Sequence, residues 1–204
     1  MFTSLEEIEE EEREPLSIWM DQDGKTSPLR AVSAVYDSIR LSPDGTRVAV
    51  EITDRQPDIW IYEWARDTLR RFTFDLSSTA VWTPDGSRIA FRSKRAGGDN
   101  LYWQRADGTG EVQRLTESQN PQFPMSWHPG GKFLAFQEHQ PQTRWDILIL
   151  PIDGSESSGW KPGKPTAFLA DHSDETEAAF SPDGRWFAYV SDEPPYLKMG
   201  HVLK

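Results

Sequence analysis

The sequence predicts an all-β chain of repeated four-stranded antiparallel sheets. Three observations predict it. First, four segments align: Leu41-Ser-Pro-Asp-Gly-Thr-Arg-Val-Ala-Val50, Trp82-Thr-Pro-Asp-Gly-Ser-Arg-Ile-Ala-Phe91, Trp127-His-Pro-Gly-Gly-Lys-Phe-Leu-Ala-Phe136 and Phe180-Ser-Pro-Asp-Gly-Arg-Trp-Phe-Ala-Tyr189. Second, their prolines, Pro43, Pro84, Pro129 and Pro182, are spaced by 41, 45 and 53 residues. A repeat of about 40–45 residues has the length of one propeller blade. Third, short strand-like runs and turn signals fill each unit, with almost no helical periodicity. The fold class is therefore a β-propeller of four-stranded blades.

The first shared element is a tight hairpin. In Ser42-Pro43-Asp44-Gly45, proline presets φ for the first central position and serine suits the position before it. Glycine accepts the positive φ of a type I turn followed by a bulge. Thr83 to Gly86 and Ser181 to Gly184 repeat the device, and His128-Pro129-Gly130-Gly131 keeps it with glycine in place of the aspartate. Asp44, Asp85 and Asp183 are turn residues on this reading.

The second element is an apolar-small-apolar strand: Val48-Ala49-Val50, Ile89-Ala90-Phe91, Leu134-Ala135-Phe136 and Phe187-Ala188-Tyr189. Polar alternation is absent, so both faces are expected to be buried. One face takes the large side chains and the other is close-packed at alanine, as radially stacked sheets require. Trp82, Trp127, Phe180 and Leu41 recur at one position, and core packing accounts for that.

A third strand follows as Asp58 to Tyr62, Asn100 to Trp103 and Asp146 to Leu150, with its leading Asp or Asn expected to hydrogen-bond nearby. A more polar fourth strand covers Leu69 to Thr73, Val112 to Thr116 and Thr166 to Leu169. Asp107-Gly108 and Asp153-Gly154 read as hairpin signals between the two. The longest spacing reflects an insertion from Gly154 to Lys164, rich in Gly, Ser and Pro.

The end units are incomplete. Ser17 to Leu29 reads as strands three and four of a blade, and Ala178 to Val190 as strands one and two. Pro194-Pro195 then interrupts the expected third strand. The repeats thus span 16–193 as three full blades plus two half blades, with 1–15 an acidic, disordered tail and 194–204 a C-terminal tail. The reading favours an incomplete arc of a larger ring, since the alanine wedge is set for one ring size. The alternative is a four-bladed ring closed by a composite blade. Open sheet edges in an arc invite homo-oligomer formation.

Composition narrows the function classes. Aromatic residues reach 12%, with nine Trp and ten Phe, far from a disordered composition. Mean hydropathy is -0.67, and no apolar run is long enough to span a bilayer, so no membrane insertion is expected. The absence of cysteine excludes disulfides, thiolate metal sites and cysteine nucleophiles. The net charge of -11 opposes nucleic-acid binding. Much of that charge sits between Glu6 and Glu14, where seven glutamates and one arginine give -6. Such a block usually remains solvated. No export signal is visible, so the default expectation is cytoplasmic.

Chemical motifs are sparse. Gly24-Lys25-Thr26 lacks the leading glycine of a phosphate loop, Trp19 standing in its place. Gly108-Thr109-Gly110 is followed by Gln113 instead of a third glycine. Asp21-Gln22-Asp23-Gly24 begins like a calcium loop, but its twelfth position is Val32. His128, His139, His172 and His201 form no His-x-x-x-His pair, so no metal and no cofactor are expected. No Gly-x-Ser-x-Gly elbow occurs.

Function in a propeller collects on loops over the rigid sheets. The loops between strands two and three carry Arg55, Arg92, Lys94, Arg95, His139, Gln140 and Arg144, a locally basic rim on a net-acidic chain. The ligand-binding candidates are Arg55, Arg92, Lys94, Arg95, His139 and Arg144. No catalytic residue is assigned. The expected role is a non-catalytic sensor or scaffold module that binds a protein or peptide through this face. Alternatives are a hydrolase or lyase with carboxylates at the axis, and a truncated remnant.

The Ser-Pro-Asp-Gly-x-x-φ-Ala-φ units, followed by Asp-Ile-Trp-Ile or Asn-Leu-Tyr-Trp, resemble TolB-like (WD-like) β-propeller repeats. The order of the elements is most similar to the propeller attached to bacterial eukaryotic-like serine/threonine kinases. That resemblance covers about residues 16–193 and implies protein or ligand binding, often outside the cytoplasm. Kinase motifs are absent from the sequence: no glycine-rich loop, no His-Arg-Asp and no Asp-Phe-Gly. TolB-like propellers also occur as gating domains of prolyl-oligopeptidase-type peptidases.

Overall fold

The computed structural model describes residues 18–20, 22–28, 35–170, 172–193 and 197–201. The acidic run from Glu6 to Glu14 and the Pro194-Pro195 pair lie outside them. Two short strands, β1 (Ile18–Met20) and β2 (Thr26–Pro28), form an antiparallel hairpin. The first blade is β3 (Val35–Leu41), β4 (Arg47–Thr53), β5 (Pro57–Glu63) and β6 (Thr68–Arg71), hydrogen-bonded in that order. The second is β7 (Ser77–Trp82), β8 (Arg88–Ser93), β9 (Asn100–Arg105) and β10 (Gln113–Arg114). The third joins β11 (Gln122–Trp127), β12 (Phe133–Gln140) and β13 (Arg144–Ser155) to β15 (Thr166–Leu169), with β14 (Gly159–Pro162) on the far end of β13. The last sheet is β16 (Glu175–Phe180), β17 (Trp186–Ser191) and β18 (Leu197–His201). Among the described residues the only helical turn is a single 3-10 turn at Trp64–Arg66.

The Pro-Gly hairpins form as the sequence predicts. The amides of Gly45, Gly86, Gly131 and Gly184 donate to the carbonyls of Ser42, Thr83, His128 and Ser181 at 2.9, 2.8, 2.8 and 2.9 Å. The four glycines have φ of 68, 66, 71 and 69°, a region costly for any residue with a Cβ. Each turn aspartate works within its own turn. Asp44, Asp85 and Asp183 each accept the amide two residues on, at 3.0 Å. The Ser42 hydroxyl, with help from Thr46, holds the Asp44 carboxyl down to about 2. In the third repeat, where glycine stands at the aspartate position, His128 Nδ1 accepts the Gly130 amide at 3.0 Å, a different bond within the same turn.

The apolar-small-apolar strands set the order of packing. Ala49 lies in the core between the first and second blades, with Ile89, Phe91 and Tyr102 opposite. Ala90 lies between the second and third, facing Leu134 and Phe136. Ala135 lies between the third and fourth, with Phe187. At each of these three junctions a sheet turns its alanine face to the following sheet, which meets it with its bulky face. Phe91, Phe136, Ile89 and Leu134 are all 0% exposed; full burial of such a side chain contributes about 1.5–3 kcal/mol. The expected hydrogen bonds at the head of strand three are present. Asp58 accepts the Thr73 hydroxyl, which itself accepts the Ile59 amide at 2.9 Å. Asn100 accepts the Ser118 amide at 2.6 Å and Asp146 the Thr143 hydroxyl at 2.7 Å.

Two sequence expectations are corrected. The final unit has three strands, not two: β18 pairs Leu197 with Val190 and His201 with Trp186. The prolines that suggested an interruption precede this strand instead of occupying it, so 197–201 belongs to the repeats and not to a tail. Asp153-Gly154 is not the turn of its hairpin. It lies within paired strand, Asp153 opposite Lys161 and Gly154 opposite Trp160, and the chain reverses at Glu156 to Ser158. Gly154 is required for close approach: a Cβ there would stand 2.0 Å from the Gly159 carbonyl oxygen. The insertion is thus a two-stranded spur on the third blade.

Candidate functional site

Of the basic residues expected in the loops between strands two and three, Arg55, Lys94 and Arg95 lie there, whereas Arg92, His139 and Arg144 are paired strand residues at the ends of β8, β12 and β13. Most of the six are held in ion pairs. Arg92 Nη2 lies 2.7 Å from Asp99 Oδ2, and Lys94 Nζ stands 3.9 Å from the same oxygen. The Arg92 guanidinium also covers the Phe123 ring at 4.2 Å. Arg95 pairs with Asp75 at 3.1 Å and lies over Tyr102. Arg144 bridges to Asp174 and, at 2.8 Å, to Asp192, tying the third blade to the fourth. His139 meets the Trp145 ring edge-on at 4.9 Å. Arg55 is exposed in the bend between β4 and β5. The structure brings Arg92 and Lys94 together on one carboxylate, whereas Arg95 and Arg144 are committed elsewhere. An exposed pair such as Arg144–Asp192 contributes only about 0–1 kcal/mol. The pairs nevertheless remove the uncompensated positive charge that the linear sequence suggested.

The innermost strands build a different site. β3, β7, β11 and β16 each carry an extra residue against their neighbour, with register breaks at Tyr36/Ser38, Ser78/Val81, Pro124/Ser126 and Thr176/Ala179. Such bulges re-aim side chains. At equivalent bulge positions in two repeats, Thr79 and Glu177 adopt φ of 54 and 52°. Left-handed backbone in a β-branched threonine costs of order 1–3 kcal/mol and persists only where its surroundings impose it. Here Glu51 Oε2, from the first blade, accepts the Thr79 amide at 3.0 Å. Burial pushes the Glu51 carboxyl above its ordinary value, while the Thr79 amide bond opposes that shift. Further bonds link the inner strands of neighbouring blades. Trp82 Nε1 donates to the Arg40 carbonyl at 3.0 Å, and the Phe180 amide to Ser126 Oγ at 3.1 Å.

These strands converge on an axial cleft. Its polar waist, about 380 Å³, is lined by Arg40, Thr79, Gln137 and Glu177 together with Phe123 and Met125. Its mouth, about 410 Å³, lies at the Pro-Gly turns. There the recurring aromatic position and the four repeat prolines meet: Trp82, Trp127 and Phe180 with Pro43, Pro84, Pro129 and Pro182. Trp82 and Trp127 are core residues at 6% exposure, as expected, but their edges and the half-buried Phe180 also form this rim. Sequence reasoning missed Arg40, Thr79 and Glu177. The available signal was one surplus residue in each innermost strand relative to its partner. Among the described residues no group of three or more His, Asp or Glu side chains could hold a metal ion.

Residues 22–161 match the model of the TolB β-propeller domain family, PD40. The chain belongs to the TolB β-propeller family. Curated relatives are larger proteins. The uncharacterized peptidase YuxL of Bacillus subtilis is 26% identical over 211 aligned positions, 80% of this chain and 30% of the relative. The putative Tricorn-like protease C-terminal subunit of Sulfurisphaera tokodaii is 26% identical over 121, covering 58% of this chain and 14% of the relative. The chain thus spans less than a third of either. The solved structure of a putative TolB from Agrobacterium tumefaciens superposes with a TM-score of 0.72 at 20% identity, over 89% of this chain and 63% of that one. TolB from Acinetobacter baumannii gives 0.65 at 22%, over 87% and 46%. These likenesses show the TolB propeller fold. No helix among the described residues is long and apolar enough to cross a membrane.

Proposed function

We propose that this TolB-family chain is a non-catalytic binding module that takes an extended segment of a partner protein across the axial cleft. One observation carries the reading: four repeats, far apart in sequence, contribute inner strands to a single open cleft with an apolar, proline-rimmed mouth and a charged waist. An apolar recess with a few convergent polar groups is the usual form of a binding site. Of the described residues lining the waist, Glu177 is the one carboxylate. Acid–base hydrolysis of the two-carboxylate type needs a second, so the lining supports binding over chemistry. The resemblance of the repeats to kinase-attached propellers supports a sensory role for that binding.

The test compares two surfaces of the full chain. Peptides captured from an array are measured by calorimetry against three proteins: wild type, Arg40→Glu combined with Glu177→Lys, and the triple reversal of Arg92, Lys94 and Arg95 to Glu. The axial pair is expected to lose affinity by about tenfold or more, as removal of a central anchor does, with the loop triple little changed. The opposite pattern would move the site to the strand two–three loops. Turnover of an ester or peptide panel that disappears in Glu177→Gln would replace binding with catalysis.

A further inference from the structure

A second cavity lies on the turn face, between the second and third blades, and adjoins the mouth of the axial cleft across Pro84 and Pro129, which line both. It measures about 380 Å³ and is walled by Trp103, Trp160, Arg88, Lys132 and the prolines of two hairpins. Beside it the inserted spur reaches back onto the second blade. The carboxylate of Glu156, at the tip of the spur, gathers donors from both blades. Arg88 Nε and Nη2 donate to its Oε1 at 3.0 and 2.7 Å, Arg105 Nη1 to its Oε2 at 3.3 Å, and Trp160 Nε1 to its Oε1 at 3.3 Å.

The two sides of this contact are unlike. The receiving side is rigid: Arg88 is 6% exposed and its guanidinium lies 4.7 Å over the buried Trp103 ring, which stacks in turn on Trp127. The side that inserts is a surface turn, and the Glu156 side chain is 49% exposed. A planar guanidinium fixed by aromatic packing is preorganised for a carboxylate. Lys132, exposed at the cavity edge, has no ion-pair partner among the described residues.

We propose that Arg88, Arg105 and Trp160 form a carboxylate-receiving site, and that Glu156 is its built-in occupant. An incoming carboxylate displaces Glu156 from the guanidinium, and the group that carries it fills the neighbouring cavity against Trp103 and Trp160. Lys132 then supplies a further cation for a ligand with a second negative charge. This proposal does not depend on the axial reading.

The experiment uses the full chain, Glu156→Gln, and Glu156→Gln combined with Arg105→Gln, an exposed position chosen because a change at the buried Arg88 could unfold the blade. Calorimetry is run with two probes: succinate, and a tetrapeptide with one glutamate and both termini blocked. A tethered competitor acts at an effective concentration near millimolar, so Glu156→Gln is expected to bind a probe about tenfold or more tightly than wild type. Adding Arg105→Gln is expected to cancel that gain. A larger gain for the peptide assigns the carboxylate to a protein side chain, and a larger gain for succinate assigns it to a free metabolite. Equal gains support the carboxylate itself as the recognised group. No gain in Glu156→Gln for either probe, or a gain that survives Arg105→Gln, overturns the proposal.

Discussion

The interior and terminal repeats carry the same motif and do different things with it. In the second and third blades, Ile89, Ala90, Phe91, Leu134, Ala135 and Phe136 are all 0% exposed. In the last sheet, Ala188 and Tyr189 occupy the positions of Ala90 and Phe91 but are only half-buried. Trp186 and Val190 on the same strand are 44% and 39% exposed, and in the first blade Ile39 and Leu41 reach 48% and 56%. The motif therefore fixes strand, turn and direction of packing, and the neighbours decide how much stability each copy yields.

The largest test of this contrast is a pair of truncations. Phe91→Ala is expected to cost about 3–5 kcal/mol, as large core deletions do, and Tyr189→Ala less than half as much, read by urea unfolding. Equal losses would mean that the terminal copy is packed as firmly as the interior one. Overpacking gives the next effect. Ala135→Val is expected to cost about 1–3 kcal/mol, with Ala188→Val within about 0.5 kcal/mol. Gly154→Ala, which places a Cβ 2.0 Å from the Gly159 oxygen, is expected to release the spur. Its signature is faster amide exchange confined to β14 and the end of β13. Gly45→Ala meets nothing within 4 Å but sits at a φ of +68°, so its cost is about 1–2 kcal/mol of backbone strain alone.

The smallest effect is in the acid limb. The Asp44 carboxyl titrates near 2 in the folded chain against an ordinary value of 3.8. A lowered folded value means a stabilising contribution that is complete above about 4 and is lost as pH falls toward about 2. Asp107, held to about 2 by the Thr109 hydroxyl and amide, behaves alike. Asp44→Asn is expected to lower Tm near neutrality, where the contribution is complete, and by progressively less as pH falls toward about 2, so that the fall of Tm across that window is flatter than in wild type. An unaltered slope would remove the turn aspartates from the acid response.

What the sequence shows and conceals follows the range of the interactions. The Pro-Asp-Gly turns are legible because proline, aspartate and glycine act within four residues. The alanine face is legible because one small residue recurs at one ladder position. The neutralised loop charges are not, since Arg144 meets Asp174 and Asp192 at separations of 30 and 48 residues. Nor are Thr79 and Glu177, whose left-handed backbone exists only once a bulge has set the register with the next strand. The spur misled for a local reason: Asp153-Gly154 reads as a turn, yet its glycine is needed for contact across a ladder.

At each of the three junctions the alanine face of one sheet meets the bulky face of the next, never its own kind. Such an interface is heterologous, and like a magnet it has two poles. Units of this design accept duplication, loss or circular reordering of whole copies, because every junction remains the same pairing of small with large. A copy turned end for end finds no counterpart. The array can lengthen in evolution without any residue of the joint being reinvented.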